Sequence, residues 1–503
     1  MAAVTRPSAH EIARTRFTEW MGTVADLDGA IRLLDWDRET TMPSAGAGQR
    51  GHQVATLHAL RHRELLADDI DDVIASLREG LGTEDGLPAQ IAHAERARRR
   101  AARLSEALVR EVSDATTNAV TVWLATRESG DFATFAPALE RVVAAARATG
   151  DALGIGAEPY DGLLDEYEPG MTTAVLEEMF AALEPQLRDI VSGVDDRPAL
   201  HPFAGRHFDE SAQVALADDL ASTVGFDHAS GLISRSAHPF TTSPHAGDVR
   251  FTTRVEADDP MVNVLVTMHE VGHGLYSQGH PGEYARTFLF ESPSLGAEES
   301  QSRFFENHLG RHPAFLAIVH RMLSERFGPA MSGITPDDLH RTVHHIERGW
   351  CRVDADEVTY DLHIALRLRL ELALIRGDLT VRDLPGAWRD EMQRLLGVTP
   401  DGDAQGCMQD IHWAWGLFGY FPTYTLGNMY AAQLALAFSD HTGGAGMEIV
   451  ADDPTAPLRF LRDRVHRHGG RIETRVLMER ATGRPFSPQP LIDRLRGLAA
   501  AQS

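Results

Sequence analysis

His269-Glu270-Val271-Gly272-His273 constrains this chain more than any other stretch. Residues four apart on an α-helix share a face. Both imidazoles can therefore bind one metal ion while Glu270, one step round, faces a water on it. This is the H-E-x-x-H pattern of zinc-dependent hydrolases. With 24 histidines in 503 residues, an accidental match has a chance on the order of one in ten, so the surroundings must support the reading. Asp259-Pro260 predicts a helix start, with Asp as N-cap and Pro at the first helical position. Met261, Val262, Val264, Leu265, Val266 and Met268 then make the segment apolar nearly all round, which predicts burial. Buried histidines and a buried glutamate need partners, and a metal is a natural one. The alternative is a helix with surface histidines.

A catalytic zinc takes three protein ligands and leaves one position open. Ser292-Pro293 predicts the start of a second helix, which carries Glu298 and Glu299. Either can supply the third ligand. The competing reading is that acids near a helix start only complement its dipole.

The length alone suggests about three domains, yet the chain shows no linker, low-complexity block or internal repeat. The expectation is a single domain over 1–503. It comprises a helical N-terminal part (1–225), a small sheet (228–255), and metal-site helices with a C-terminal helical part (258–503). Acidic residues outnumber basic ones 73 to 48, for a formal charge of −25. That argues against nucleic acid or an anionic membrane as the main partner. Cys351 and Cys407 do not make a disulfide framework and are expected as free thiols. Met1 to Arg6 lacks the apolar core of a signal peptide, and no run is apolar enough to span a bilayer. The expected location is the cytoplasm.

Residues 8 to about 155 read as long helices, broken near Met42-Pro43 and at Gly80 to Gly86. Arg96, Arg98, Arg99, Arg100 and Arg103, at helical spacing among acids, read as a solvated face. Helices follow at 172–193 and 210–223. Leu232–Ser236 and Val249–Val255 alternate in the strand manner, with Ser243, Pro244 and Gly247 as turn residues between them. A small antiparallel sheet is therefore expected beside the metal-binding helix. Its edge can pair with an extended peptide. Helices resume to the C-terminus, with surface loops at 438–455.

Six short motifs occur in order: His238-Pro239-Phe240, Asp248-Val249-Arg250-Phe251-Thr252, His269 to His273, Glu298-Glu299-Ser300-Gln301, Cys351 to Asp356, and Gly406 to Trp413. Together they resemble the carboxypeptidase Taq family of metallocarboxypeptidases over essentially the whole chain. Two positions depart from the family pattern: Glu298 stands for a histidine and Cys351 for an isoleucine. The resemblance implies a mainly α, elongated molecule with a deep central groove, and a homodimer. It implies release of single residues from the free C-termini of peptides, with broad tolerance. It also assigns the third ligand to Glu299. A carboxylate at 298 adds negative charge beside the metal, which bears on metal choice and on the acidity of bound water.

The roles expected are then as follows. His269, His273 and Glu299 hold one divalent ion, most simply Zn2+, with Co2+ or Mn2+ as alternatives. Glu270 is the general base. Arg352 anchors the substrate's terminal carboxylate, as a planar guanidinium suits that task; its alternative is an ion pair with Asp354 or Asp356. Arg250 is a second candidate for the anchor, although a tie from the sheet to the groove wall through Asp248 fits it better. His238 is expected to line the groove. His412 and one of Tyr420 and Tyr424 are candidates to stabilise the developing oxyanion; the two tyrosines are not separable by sequence. Asp410 is expected to orient another side chain, and Trp413, Trp415 and Phe418 to form wall and core. Competing functions are an oligopeptidase that cuts internal bonds and an inactive helical binding protein.

Overall fold

The computed structural model describes residues 8–79, 86–194 and 197–502. The expected break at Gly80 to Gly86, apart from Gly86, and the N-terminal segment before Ser8 lie outside these residues. The chain is mainly helical with one small sheet, as expected. Among the described residues no helix is long and apolar enough to cross a membrane.

The first helices, Ala9–Thr40, Ala47–Leu65, Ile70–Glu79 and Leu87–Arg103, build a core of their own. Phe17, Trp20 and Val24 pack there against Ile70, Ile74, Leu77 and Ile91. The rest of the chain shares one larger core. The arginines of Leu87–Arg103 are not the solvated face expected from sequence. Arg98 is buried and donates to Asp71. Arg96 and Arg100 both reach Asp165, and Arg103 bonds the carbonyl of Leu153. Of the five, Arg99 and Arg103 are exposed. Arg96, Arg100 and Arg103 hold this helix to the larger core, and Arg98 holds it to the helix Ile70–Glu79.

The sheet contains β1 (Gly231–Arg235), β2 (Thr241–His245) and β3 (Asp248–Thr253) in the order β1-β3-β2. It is mixed, which corrects the antiparallel expectation: β2 runs antiparallel to β3, and β1 runs parallel to it. Ser243 and Pro244, read as turn residues, form part of an extra strand, whereas Gly247 does lie in a turn, between β2 and β3. The chain reverses once after β1 and again after β2, so β1 and β3 point the same way. Pro244 is tolerated because β2 is an edge strand and its pairing is irregular between Thr242 and His245.

The motif helix, Pro260–Gln278, starts where its sequence says, with Asp259 accepting from the Met261 amide at 2.9 Å. Val264, Met268, Val271 and Leu275 are fully buried. Asn263 and Thr267 clamp the helix to Thr253 of β3, at 2.9 and 3.0 Å. The next functional helix, Leu295–Arg303, begins two residues later than expected. Its N-cap is Ser294, whose hydroxyl accepts from the Ala297 amide at 3.1 Å. Ser292 instead donates to the Ser294 carbonyl and so shapes the entry. The helix continues into a π-helical turn, Phe304–Gly310. Helix Pro422–His441 covers it, and the 438–455 region is only partly loop, with a 3-10 turn at Gly446–Ala451.

Candidate metal centre and active site

Glycine lets the site form. A Cβ on Gly272 would lie 2.6 Å from the Gln301 carbonyl oxygen, and one on Gly427 would lie 2.6 Å from Glu299 Cγ. Without side chains at these positions, helices Pro260–Gln278 and Pro422–His441 close on Leu295–Arg303 from two directions. The outcome is a cluster of His269, His273 and Glu299, with one donor atom of each within 4.8 Å of the others. Glu299 Oε2 lies 3.4 Å from His273 Nε2 and 3.9 Å from His269 Nε2.

The donors are oriented from behind. His269 Nδ1 lies 2.8 Å from Glu306 Oε2. A neutral ring donating there keeps its Nε2 lone pair for the cluster. Arg303 donates to Glu299 Oε1 at 2.9 Å and to Glu306 Oε2 at 3.2 Å. Burial alone would lower the pKa of His273, but Glu299, helped by Glu298 and Glu270, lifts it to about 9. Burial would likewise raise that of Glu299, yet His269, Arg303 and His273 bring it down to about 2. Two imidazoles and an ionised carboxylate suit a divalent transition ion.

Glu270 is buried, and Thr241 of the edge strand donates to its Oε2 at 2.6 Å. Glu298 occupies the neighbouring position, with Oε1 3.7 Å from His273 Nδ1.

A second cluster adjoins the first. Arg352 donates to Asp410 Oδ1 through Nε at 3.0 Å and Nη2 at 2.7 Å. The ion pair is therefore with Asp410, and not with Asp354 or Asp356. Arg367 holds the other oxygen of Asp410, at 2.7 Å from its Nε. Arg352 Nη1 and Arg303 Nη2 both donate to Tyr360 Oη, at 3.1 and 3.0 Å. One continuous network thus joins Glu299 to Arg352. His412 Nε2 lies 3.3 Å from Tyr424 Oη. Burial drives the His412 pKa down to about 3, although Asp410 pulls the other way. Tyr420 packs against His412, Tyr424 and Tyr167. Burial raises its pKa, and Glu299 and Glu298 raise it further.

Other expected residues stand apart. Arg250 bonds Asp248 bidentately on its own strand and stacks over Trp36, 4.5 Å from the ring centroid. It ties the sheet to the first helix. His238 is exposed in the loop between β1 and β2, outside the cluster. Trp413 and Phe418 are core, whereas Trp415 is half exposed. Cys351 and Cys407 are free thiols. Sequence reasoning missed Thr241, Arg303, Glu306 and Tyr360. Spacing offered a hint for two of them: Arg303 and Glu306 follow Glu299 by four and seven residues, on one helical face.

Two imidazoles and a carboxylate that could hold a metal ion, with an adjacent buried glutamate beneath an edge strand, are what a metal-dependent hydrolase requires. The sequence profile of the carboxypeptidase Taq (M32) metallopeptidases matches residues 16–498. The chain is 36% identical to thermostable carboxypeptidase 1 of Thermus thermophilus, over 98% of this chain and 99% of that protein. It is 34% identical to the protein of the same name from Pyrococcus furiosus, over 90% and 92%. The M32 carboxypeptidase of Deinococcus radiodurans superposes with a TM-score of 0.93 at 31% identity, over 98% and 99% of the two chains. The chain belongs to the carboxypeptidase Taq (M32) family: it is a metallocarboxypeptidase, a hydrolase of peptide bonds.

Proposed function

We propose that this enzyme removes single residues, with broad side-chain tolerance, from peptides with a free C-terminus. It works as a single-domain protein, in the cytoplasm and as a homodimer. His269, His273 and Glu299 hold one divalent ion, Zn2+ in the first instance. Bound there, the ion supplies a lowered water pKa and polarises the scissile carbonyl. Glu270, oriented by Thr241, takes the proton of the attacking water and passes it to the departing amine. Tyr420, close to Glu299, donates to the oxyanion, while neutral His412 and Tyr424 bond each other and support it.

The observation that carries the exopeptidase reading is the network Glu299–Arg303–Tyr360–Arg352. It fixes a guanidinium beside the cluster. A guanidinium has five N–H groups, and Asp410 and Tyr360 occupy three on Arg352. The other two are left for a carboxylate.

Matched peptides with free and amidated C-termini test this. The free peptide is expected to be cleaved at least roughly a hundredfold faster, as for a site losing a charge-assisted contact. Arg352→Ala should erase most of that preference. Equal cleavage of both peptides by the native enzyme would favour an oligopeptidase that cuts internal bonds.

A further inference from the structure

Beyond His273 the site continues into a cavity of about 250 Å³. Arg32, Ser277, His280, Glu291, Ser292 and Glu298 line it, and Thr241, which bonds Glu270, opens onto it. Pockets that take whole small molecules span roughly 300–1,000 Å³. This one suits a single long side chain.

Its two carboxylates are held differently. Arg32 donates to both oxygens of Glu291, at 2.7 and 2.8 Å, and to the Ser243 carbonyl at 3.2 Å. Those two charges cancel. Glu298 has no bidentate partner of that kind: it pairs only loosely with His273, Oε1 to Nδ1 at 3.7 Å, beyond hydrogen-bonding distance. On another wall His280 is buried, edge-on to Tyr276 and Phe290, and neither ring nitrogen has a well-formed hydrogen bond. Burial holds that ring neutral, its pKa pushed down to about 4, so one nitrogen is an acceptor. The Glu298 carboxylate and an imidazole lone pair without a partner thus face one space.

The cavity and Arg352 connect to the cluster through different residues. Contacts toward Arg352 leave from Glu299 and Glu306 through Arg303 and Tyr360. Those toward the cavity leave from His273 and Glu270 through Glu298 and Thr241. We infer that the cavity is a subsite for the side chain of a residue on the amino side of the scissile bond, and that Glu298 makes it select lysine or arginine. The inference rests on the carboxypeptidase reading, which puts the substrate's terminal carboxylate at Arg352.

Peptides with one constant C-terminal residue, and lysine, norleucine or glycine at each of the two preceding positions, provide the test. At one position kcat/KM should be roughly tenfold higher for lysine than for norleucine, the effect of one charge-assisted hydrogen bond. In Glu298→Gln that ratio should fall to about one. Ser277→Met, which fills the cavity, should slow the lysine and norleucine peptides relative to the glycine one. A ratio near one in the native enzyme at both positions, or one that Glu298→Gln leaves unchanged, overturns the subsite. An equal loss on lysine and norleucine peptides in Glu298→Gln, with weaker metal retention, also overturns it and makes Glu298 a partner of His273 alone. These failures leave the preference for free over amidated peptides intact. Loss of that preference in the native enzyme would instead sink the carboxypeptidase reading itself.

Discussion

Gly272 rests on the main-chain carbonyl of Gln301 so closely that a Cβ would lie 2.6 Å from the oxygen. This contact carries Glu299, two residues before Gln301, up to the imidazoles on either side of Gly272. Alanine is the better helix former by about 1 kcal/mol, so propensity alone favours Gly272→Ala. Overpacking is expected to win, with a net loss of about 1–3 kcal/mol in urea unfolding. Metal binding should weaken as the helices part. Unchanged affinity in a chelator competition would show that the close approach does not set the cluster's geometry.

Glu270→Gln should keep stoichiometric metal and lose about 10²–10⁴ in kcat, the range for a positioned general base. Thr241→Val, which removes the hydroxyl on Glu270 Oε2, should lower kcat by less and leave metal content intact. Turnover that survives Glu270→Gln would remove the residue from its proposed role.

Glu306→Gln takes the charged acceptor from behind His269. Loss of such a partner commonly costs about 10–100-fold in metal affinity. Glu299→Gln should cost more and Glu298→Gln less. Dissociation constants from chelator competition give the order, and a larger effect at 298 than at 299 would overturn the assigned ligand.

Glu168 sets a pH dependence of stability. Its buried carboxylate accepts from the Gly296 amide at the start of the helix bearing Glu299, and burial raises its pKa from 4.5 to about 8. Between these values the native state holds a proton that the unfolded chain has lost. The stability contributed is complete below about 4.5 and falls as pH rises to about 8, by at most about 1.4 kcal/mol per pH unit. Glu168→Gln removes this titration. Its urea midpoint should therefore decline less between pH 5 and pH 8 than that of the native protein. Parallel declines would mean that other groups govern the slope.

Some of the site was legible because its signals are local. Asp259-Pro260 marks a helix start in any context, and the four-residue spacing of His269 and His273 puts both rings on one face. The sheet was only half legible. Pro244 reads as a turn until β2 is known to be an edge, where its missing amide costs nothing. Arg96, Arg98, Arg100 and Arg103 read as a surface because their partners, Asp71, Asp165 and the Leu153 carbonyl, lie in other parts of the chain.

Sequence by itself determined the helix that bears both imidazoles and the glutamate between them, while the resemblance carried by six ordered motifs implied the carboxylate at 299. Only the tertiary structure decided that Glu306 backs His269, that Asp410 holds Arg352, and that Thr241 orients Glu270. Helical periodicity and caps act over a few residues and leave a mark in the chain. Which buried charge meets which partner depends on how distant helices pack, because each must find a counter-charge or hydrogen bond once water is excluded.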